Sequence, residues 1–342
     1  MQRTVIGTAP DRGADVAARF LVRAAITAPS IHNVQPWRFI ARPGEIELYL
    51  DDARRLPVAD PDRREALISC GAALFNIGLA MRHLGFTPEV RLLPDRGRPG
   101  LLARVRWGAY ARPTAYQETL YRTMTRRRTH RGPFDATPMS PALIDDLRRI
   151  ARQDGAVLYV ESEGPRIRRL AELIGTAEHS QRADPGYVTE LARWTPAPDH
   201  PRCDGVAPGD YPAQPDGLLF ATRDFALGSP WGVRSPAGTW NGQALGVVAL
   251  LTSRGDRPSD WLATGQALQR VLLHAATHQI SAAFHTQPLE LPGLRHDIAR
   301  EFGGGLHPQM IMRLGHTDRR PPARRRPVDD VLFESTPAPV HR

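Results

Sequence analysis

The chain has 342 residues, of which 41% are hydrophobic and 24% charged, and its formal net charge is +9. This composition is typical of a globular protein with a sizeable core and room for two domains. Two cysteines, Cys70 and Cys203, exclude a disulfide framework and a cysteine metal cluster. We find no apolar run long enough to span a membrane and no leader pattern at the N-terminus, and we therefore expect a cytoplasmic protein without a membrane partner.

The positive charge raises the hypothesis of nucleic-acid binding, because basic proteins neutralise phosphate backbones. All 45 basic residues are arginine, however, which indicates a drift in coding composition. The arginines are scattered except for two clusters, at 126–131 and 319–326. One bound phosphate group would explain both clusters, and no nucleic-acid recognition motif is present. We therefore expect no nucleic-acid partner.

The predicted elements of residues 1–113 form one α+β unit. They are an arm at 1–13, an amphipathic helix at 14–27, a hairpin at 38–40 and 45–50, a buried helix at 65–84, strands at 89–93 and 101–107, and a linker at 108–113. Pro29 ends the first helix, since the residue before a proline avoids the helical conformation.

The predicted elements of residues 114–342 repeat this α+β pattern. They are helices at 115–126, 141–152, 166–181, 187–194, 261–278 and 294–302, and strands at 156–160, 244–252, 280–285 and 309–314. The segment at about 195–240 is rich in Pro and Gly and contains scattered aromatic residues. A segment this long without periodicity favours a functional lid, and a surface excursion is the alternative.

Two long apolar helices, one in each half, share a weak repeat. Gly71-Ala72-Ala73-Leu74 in the first matches Gly265-Gln266-Ala267-Leu268 in the second, and Leu79 and Leu273 then fall in register. Chance similarity between two Ala- and Leu-rich helices is the alternative. The repeat favours a duplicated structural unit.

Two motifs carry candidate binding groups. After the first helix the chain reads Pro29-Ser30-Ile31-His32-Asn33-Val34-Gln35-Pro36-Trp37. This loop can present backbone groups and amide side chains to a flat polar ligand. The second half opens with Arg127-Arg128-Thr129-His130-Arg131-Gly132-Pro133-Phe134, and Arg324-Arg325-Arg326-Pro327 follows near the C-terminus. Guanidinium groups bind phosphate in a bidentate manner, although each run alone is typical of a solvated surface.

The first motif resembles the Pro-Ser-x-x-Asn-x-Gln-Pro-Trp signature of the nitroreductase family, and the second resembles that family's Arg-Arg-Ser-x-Arg-x-Phe segment. The resemblance implies an α+β nitroreductase-like fold and a bound FMN. The residues it implies for cofactor binding are Pro29, Ser30, Ile31, Asn33 and Gln35 beside the ring, Arg127, Arg128, Thr129, Arg131, Arg324 and Arg326 around the phosphate, and, by a weaker correspondence, Thr286 and Gln287 at the ring edge.

Each half of the chain lacks the motif that the other half carries. Nitroreductases are homodimers in which one subunit supplies the phosphate arginines and the other the Pro-Ser loop. This chain resembles the fused, double nitroreductase-like group called Acg-like. That resemblance implies two tandem units, 1–113 and 114–342, which form an internal pseudo-dimer within a monomer and share one working FMN site.

The resemblance implies hydride transfer from NAD(P)H to FMN and then to a small-molecule acceptor of the nitro or quinone type. This chemistry requires no side-chain acid or base, and we assign no catalytic residue. The alternative is a protein of the same fold whose lid blocks the nicotinamide, so that it stores or sequesters FMN. His274 and His278 have metal-like helical spacing, but without a third ligand a structural role is favoured.

Overall fold

The computed structural model describes residues 12–197, 200–210, 212–213, 219–225, 233–234, 245–318 and 324–334. In the first half the elements are α1 (Arg12–Ala25), β1 (Trp37–Arg42), β2 (Glu45–Leu50), α2 (Arg64–His83), β3 (Phe86–Leu92) and β4 (Leu101–Tyr110). In the second half they are α3 (Ala115–Thr123), α4 (Pro141–Gln153), β5 (Ala156–Glu161), α5 (Gly164–Ala183), α6 (Pro185–Arg193), β6 (Pro212–Ala213), β7 (Val233–Arg234), β8 (Val247–Ser253), α7 (Pro258–Thr277), β9 (Ile280–Phe284), α8 (Pro292–Phe302), β10 (His307–His316) and β11 (Leu332–Glu334).

The two halves contain sheets of the same topology. In the first sheet the strands lie in the order β1-β2-β4-β3, and in the second they lie in the order β5-β8-β10-β9. Every neighbouring pair in these two series is antiparallel. A long helix connects the second strand of each series to the next strand in sequence, α2 in one half and α7 in the other. The α+β class and the tandem duplication are therefore confirmed.

The structure changes several predicted boundaries and adds one strand. Strand β4 continues to Tyr110 and so occupies part of the linker predicted at 108–113, while α3 ends at Thr123 instead of 126. The tail contains an unpredicted strand, β11, which pairs in parallel with β1 through Phe39 and Leu332. This strand escaped prediction because it is short. It adds a fifth strand to the first sheet.

Some predicted features lie outside the described residues. They are the arm at 1–11, Tyr211, Leu218, Trp231 and Trp240 of the segment at 195–240, and the arginines of 319–323.

Helix α2 is apolar and long enough, by length and composition, to cross a membrane. It is nevertheless a core helix of this fold, because 83% of its most apolar window is buried inside the protein. Its apolar residues pack against both α1 and the first sheet. A helix that is apolar on all sides is expected in such a position.

Helices α2 and α7 cross with their backbones in contact at Gly71 and Gly265. A Cβ atom built on Gly71 would lie 2.2 Å from the Leu262 carbonyl oxygen, and one on Gly265 would lie 2.0 Å from the Ile68 carbonyl oxygen. No real Cβ tolerates either distance, so both positions require glycine at this separation. Each of these glycines is the first residue of one repeated tetrapeptide. The repeated residues therefore lie at the axis that relates the two halves.

Replacing Gly265 by alanine tests this contact. We expect Gly265→Ala to lower the free energy of unfolding by about 1–3 kcal/mol, the usual cost of overpacking. Gly175 is a matched control, because it lies within helix α5 and a Cβ there would meet nothing within 4 Å. Gly175→Ala should instead stabilise the protein by about 0.5–1 kcal/mol. Urea denaturation measures both, and an unchanged Gly265→Ala variant would contradict the close crossing.

Candidate functional site

The loop after α1 has an unusual backbone that its own side chains hold in place. His32, Asn33 and Gln35 have φ values of 44°, 54° and 54°, in the left-handed region that costs non-glycine residues free energy. The Ser30 hydroxyl accepts a hydrogen bond from the Gln35 backbone N–H at 3.0 Å. The Ile31 N–H donates to Ser69 of α2 at 3.2 Å. Hydrogen bonds therefore hold the loop both to itself and to helix α2.

Asn33 and Gln35 fasten the loop to distant parts of the chain. The Asn33 amide donates to the carbonyl oxygen of Gly205 at 3.0 Å and accepts from Arg325 at 3.0 Å. Gln35 is fully buried, donating to the Cys203 carbonyl at 2.9 Å and accepting from the Arg326 backbone N–H at 2.9 Å. The two amides hold the segment at 195–240 and the C-terminal segment against the loop.

The arginine segment at 127–131 enters the site beside strand β9. Thr129 forms an isolated parallel bridge with Ala282, and the His130 N–H donates to the Ala282 carbonyl at 2.8 Å. Arg313 of β10 donates to Gly132 O at 3.2 Å and to His285 Nε2 at 2.9 Å. These contacts hold the segment against strands β9 and β10, beside the loop of the first half.

Arg127 and Arg325 meet at the C-terminal end of α1. The Arg127 guanidinium donates to the Thr27 carbonyl oxygen at 3.4 Å, and Arg325 donates to the same oxygen at 3.3 Å and to Ala28 O at 3.1 Å. Carbonyl groups at the end of a helix lack intrahelical partners and attract cations. The helix end thus positions two arginines from opposite ends of the second half.

A cavity with an empty volume of about 430 Å³ opens between these groups, and we call it the arginine cavity. It is lined by Pro29, Ser30, Asn33, Arg127, Arg128, Thr129, Arg131, Gly205, Asp210, Arg324 and Arg325. Within the described ranges, none of its five arginines forms an ion pair with a carboxylate. The Nε atoms of Arg127 and Arg325 are buried there and have no hydrogen-bond partner in the part of the chain that the structure describes.

Burial and mutual repulsion make this cluster costly without an anion. Burial, followed by the charge of Arg325, lowers the pKa of Arg127 to about 9. Burial and the charges of Arg128 and Arg131 lower the pKa of Arg325 to about 10. Buried charges are normally paired, and a group of unpaired guanidinium donors fits an anion with several acceptor oxygens. The arrangement can hold a phosphate group.

The arginine cavity is continuous with a larger cavity of about 910 Å³, which we call the large cavity. Pro29, Ser30, Thr129 and Arg131 line both. Ile68 and Ala72 of α2 and Leu268 of α7 line it from the central helices, and Ile31, His32, Glu65, Ser69, Arg223, Phe225, His285 and Thr286 contribute further side chains. The large cavity therefore lies where the two halves meet, with apolar walls and a few polar groups, as ligand sites commonly have.

Residues from the described parts of the segment at 195–240 line both cavities. Arg223 and Phe225 line the large cavity. The Phe225 ring contacts the His32 ring edge-on, with 5.7 Å between the ring centroids. The Arg131 guanidinium lies 5.5 Å from the centroid of the Phe225 ring. Gly205 and Asp210 line the arginine cavity.

Ten of the thirteen sequence-predicted residues line one of the two cavities: Pro29, Ser30, Ile31, Asn33, Arg127, Arg128, Thr129, Arg131, Thr286 and Arg324. Gln35, Gln287 and Arg326 do not line them. Gln287 donates to Glu178 at 3.3 Å, and Arg326 donates to the Asp330 carbonyl at 2.7 Å. Arg324 lines the cavity while its guanidinium donates to the His200 carbonyl at 3.0 Å.

Several lining residues were not predicted from the sequence. Arg325 belongs to the arginine run at 324–326, but the spacing of the family's motif pointed to Arg324 and Arg326 as the phosphate ligands. His32 lies inside the Pro-Ser motif; burial and the charges of Arg223 and Arg131 lower the pKa of its imidazole well below the usual value. Its Nε2 atom is buried in the cavity wall without a partner among the described residues. Glu65, Arg223 and Phe225 belong to no motif, and only the fold brings them together.

Comparison with known proteins decides the family. The chain is 31% identical over 328 residues to a Mycobacterium tuberculosis protein with the provisional name NAD(P)H nitroreductase Rv3131, and the match covers 92% of this chain and 90% of the relative. The chain belongs to the nitroreductase family. It is also 31% identical over 317 residues to a second M. tuberculosis protein provisionally named NAD(P)H nitroreductase acg, covering 91% of this chain and 93% of that one. The predicted resemblance to the Acg-like group is thus confirmed. No family model matches the chain.

Solved structures with a similar fold include two nitroreductases. One is the FMN-dependent nitroreductase NfnB from Mycobacterium smegmatis in complex with NADPH, at 17% identity and a TM-score of 0.36, covering 64% of this chain and 99% of that one. The other is a nitroreductase with bound FMN from Desulfitobacterium hafniense, at 11% identity and a TM-score of 0.38, covering 63% and 97%. With such scores neither likeness adds to the assignment of the site.

The rings of His274 and His278 lie 5.1 Å apart on α7. No group of three or more potential metal ligands occurs in the part of the chain that the structure describes.

Inorganic phosphate is a direct probe of the arginine cavity. We expect phosphate to raise the melting temperature of the ligand-free protein, because it binds the folded arginine cluster and not the unfolded chain. Arg325→Ala should remove most of this increase. Arg326→Ala is the matched control, since its side chain faces away from the cavity. The increase in melting temperature caused by chloride is subtracted from that caused by phosphate. If the two variants then respond equally, the position of Arg325 in the cavity is contradicted.

Proposed function

We propose that this protein is an FMN-dependent oxidoreductase that takes a hydride from NAD(P)H and passes it to a small acceptor of the nitro or quinone type. The arginine cavity carries the proposal, because it holds buried guanidinium groups that have no carboxylate ion-pair partner among the described residues, next to a cavity with largely apolar walls. We also propose that the protein acts in the cytoplasm as a monomer whose halves form an internal pseudo-dimer, with 1–113 and 114–342 as its two units.

The donor set fits FMN. A ribityl phosphate carries close to two negative charges, and the buried Nε atoms of Arg127 and Arg325 need an acceptor of that kind. The Thr129 hydroxyl lies between the two cavities, where it can donate to the phosphate or ribityl chain. The flat ring would lie against Pro29, Ser30 and Ile31 in the large cavity. Its remaining contacts would be with the apolar side chains of α2 and α7.

When bound, FMN supplies the two-electron chemistry, and the side chains supply position and charge. Arg131 lines both cavities, and it would place positive charge at the end of the ring nearest the phosphate chain. The unpartnered Nε2 atom of the neutral His32 faces the large cavity as a hydrogen-bonding group. Phe225 packs on both side chains and excludes water from that side. These groups orient a ring and an acceptor in one narrow space.

The relatives support the same function. Two carry names that specify an NAD(P)H nitroreductase. We infer that this chain uses NAD(P)H as well.

One observation favours the alternative, a protein that stores or sequesters FMN. The described parts of the segment at 195–240 line both cavities, and Arg223 is held over the large cavity by Glu290, to which it donates from both Nη1 and Nη2. Such a cover would block the nicotinamide if it did not open. The two functions therefore differ in whether the cover moves.

The visible absorption spectrum of the purified protein distinguishes these functions. We expect a flavin spectrum that bleaches when NADPH or NADH is added without oxygen, because the large cavity has room beside the ring. A flavin spectrum that persists with both nucleotides would favour sequestration. A protein with no flavin that takes up none from added FMN would refute both functions.

The phosphate arginines can be tested with a matched pair of double variants. We expect the Arg127→Ala, Arg131→Ala variant to lose bound FMN while it keeps its fold, because two donors to the phosphate are removed. The control is Arg122→Ala, Arg126→Ala, which removes the same charge from two exposed positions of the same region. Flavin content and circular dichroism measure the outcome. Equal flavin content in both would show that the phosphate lies elsewhere.

A further inference from the structure

A buried carboxyl group lines the large cavity without a role in binding the phosphate or ring. Glu65 lies in the first turn of α2 and is 4% exposed. Within the described ranges its carboxylate has one hydrogen-bond donor, Arg64, whose Nη2 lies 2.8 Å from Oε1. The Glu65 side chain lines the large cavity beside Ile68 and Ser69 of the same helix. Glu65 is thus an acid at the wall of the reaction space.

Charged groups on three other segments surround Glu65. Asp60 precedes α2 and accepts from the Glu65 N–H at 3.0 Å, Arg223 comes from the segment at 195–240, and Glu290 precedes α8. Burial and the negative charges of Glu290 and Asp60 outweigh the attraction of Arg64 and Arg223, and they raise the pKa of Glu65 to about 8. These effects favour the protonated form of the Glu65 side chain.

The wall that contains Glu65 separates the large cavity from a third cavity of about 850 Å³, which we call the outer cavity. Arg64 and Glu290 line the outer cavity, next to Asp60 and Asp62. Glu65 faces one side of the wall, and its neighbours Arg64 and Glu290 face the other. Side chains next to Glu65 therefore line a second space, and none of the residues that line it belongs to the described parts of the segment at 195–240.

We infer that Glu65 is the proton donor to the acceptor in the large cavity. This assignment rests on the proposed function. A hydride consists of two electrons and one proton. A quinone-type acceptor that receives a hydride therefore becomes a hydroquinone monoanion. The O–H bond of Glu65 then breaks and its proton binds the anionic oxygen, which gives the neutral hydroquinone. The carboxylate regains a proton from water through the outer cavity.

Two properties follow for the acceptor. It must carry an oxygen that becomes negative on reduction, and that oxygen must lie at the end of the cavity formed by Glu65, Ser69 and Ile68. An acceptor that takes single electrons without protons gains nothing from Glu65.

The first test uses the ligand-free protein. The pKa of Glu65 in the folded chain, about 8, lies above its ordinary value of 4.5, so the folded state holds a proton that the unfolded state releases. Stability from this group is complete below pH 4.5 and declines as the pH rises to 8. We expect Glu65→Gln to remove the part of this decline in stability that comes from Glu65. Urea denaturation at several pH values measures it. Parallel stability curves for the two proteins would overturn the assignment.

The second test follows reoxidation of the FMN-loaded protein by benzoquinone in an anaerobic stopped-flow instrument, after chemical reduction of the flavin. We expect a rate that is constant below pH 8 and falls above it. Glu65→Gln should be about 100-fold slower at pH 7, within the usual contribution of a positioned proton donor, and should lack the fall. Glu190→Gln is the matched control, because Glu190 is buried but lines none of the three cavities.

The outcomes separate the two proposals. If none of the proteins binds flavin, the proposed function fails and the assignment of Glu65 fails with it. If flavin binds and is reoxidised by benzoquinone with the same rate and pH profile in Glu65→Gln, the assignment alone fails. Equal slowing of Glu65→Gln and Glu190→Gln would also overturn it, because a general loss of packing would then explain both.

Discussion

The contact between Gly71 and Gly265 sets the geometry of the whole molecule. It allows the backbones of α2 and α7 to touch where the two helices cross. One sheet of the duplicated fold packs on each helix. Near the same crossing, Gln269 of α7 donates to Asn76 of α2 at 2.9 Å, and Asn76 donates to the Ala24 carbonyl of α1 at 3.1 Å. The position of the loop after α1 therefore depends on how closely the two central helices approach.

The site uses backbone carbonyl groups just after α1, and not ion pairs with carboxylates, to hold Arg127 and Arg325. An ion pair with Asp or Glu would neutralise these arginines and occupy their donors. The carbonyl groups of Thr27 and Ala28 orient the guanidinium groups without forming an ion pair, and Asp210 is the nearby carboxylate that partly offsets the charge of Arg325. The cluster is thereby positioned before any anion arrives, and binding does not have to break an existing salt bridge. Preorganised donors of this kind increase affinity because less ordering is needed on binding.

Local patterns in the sequence predicted most elements and most of the cavity lining, and long-range contacts decided the rest. Apolar periodicity located α2 and α7, and the Pro-Ser and arginine motifs located nine of the ten predicted lining residues. Motif spacing could not show that Gln35 faces Cys203 and Arg326, or that Arg325 turns inward while Arg326 turns toward Asp330. Strand β11 forms only because β1 offers an unpaired edge. Glu65 has no local signature, since its neighbours Asp60, Arg223 and Glu290 are separated in sequence and meet only in the fold.

The hydrogen bond between Asn33 and Arg325 joins residues that are 292 positions apart, and this has a consequence for biosynthesis. At about 5–20 residues per second, the Pro-Ser loop leaves the ribosome tens of seconds before its arginine partner. During that interval the first half has its loop and its central helix but neither β11 nor the C-terminal arginines. The arginine cavity is completed by a segment that is translated long after the loop, so a chain truncated before residue 324 would lack two of the arginines that line it.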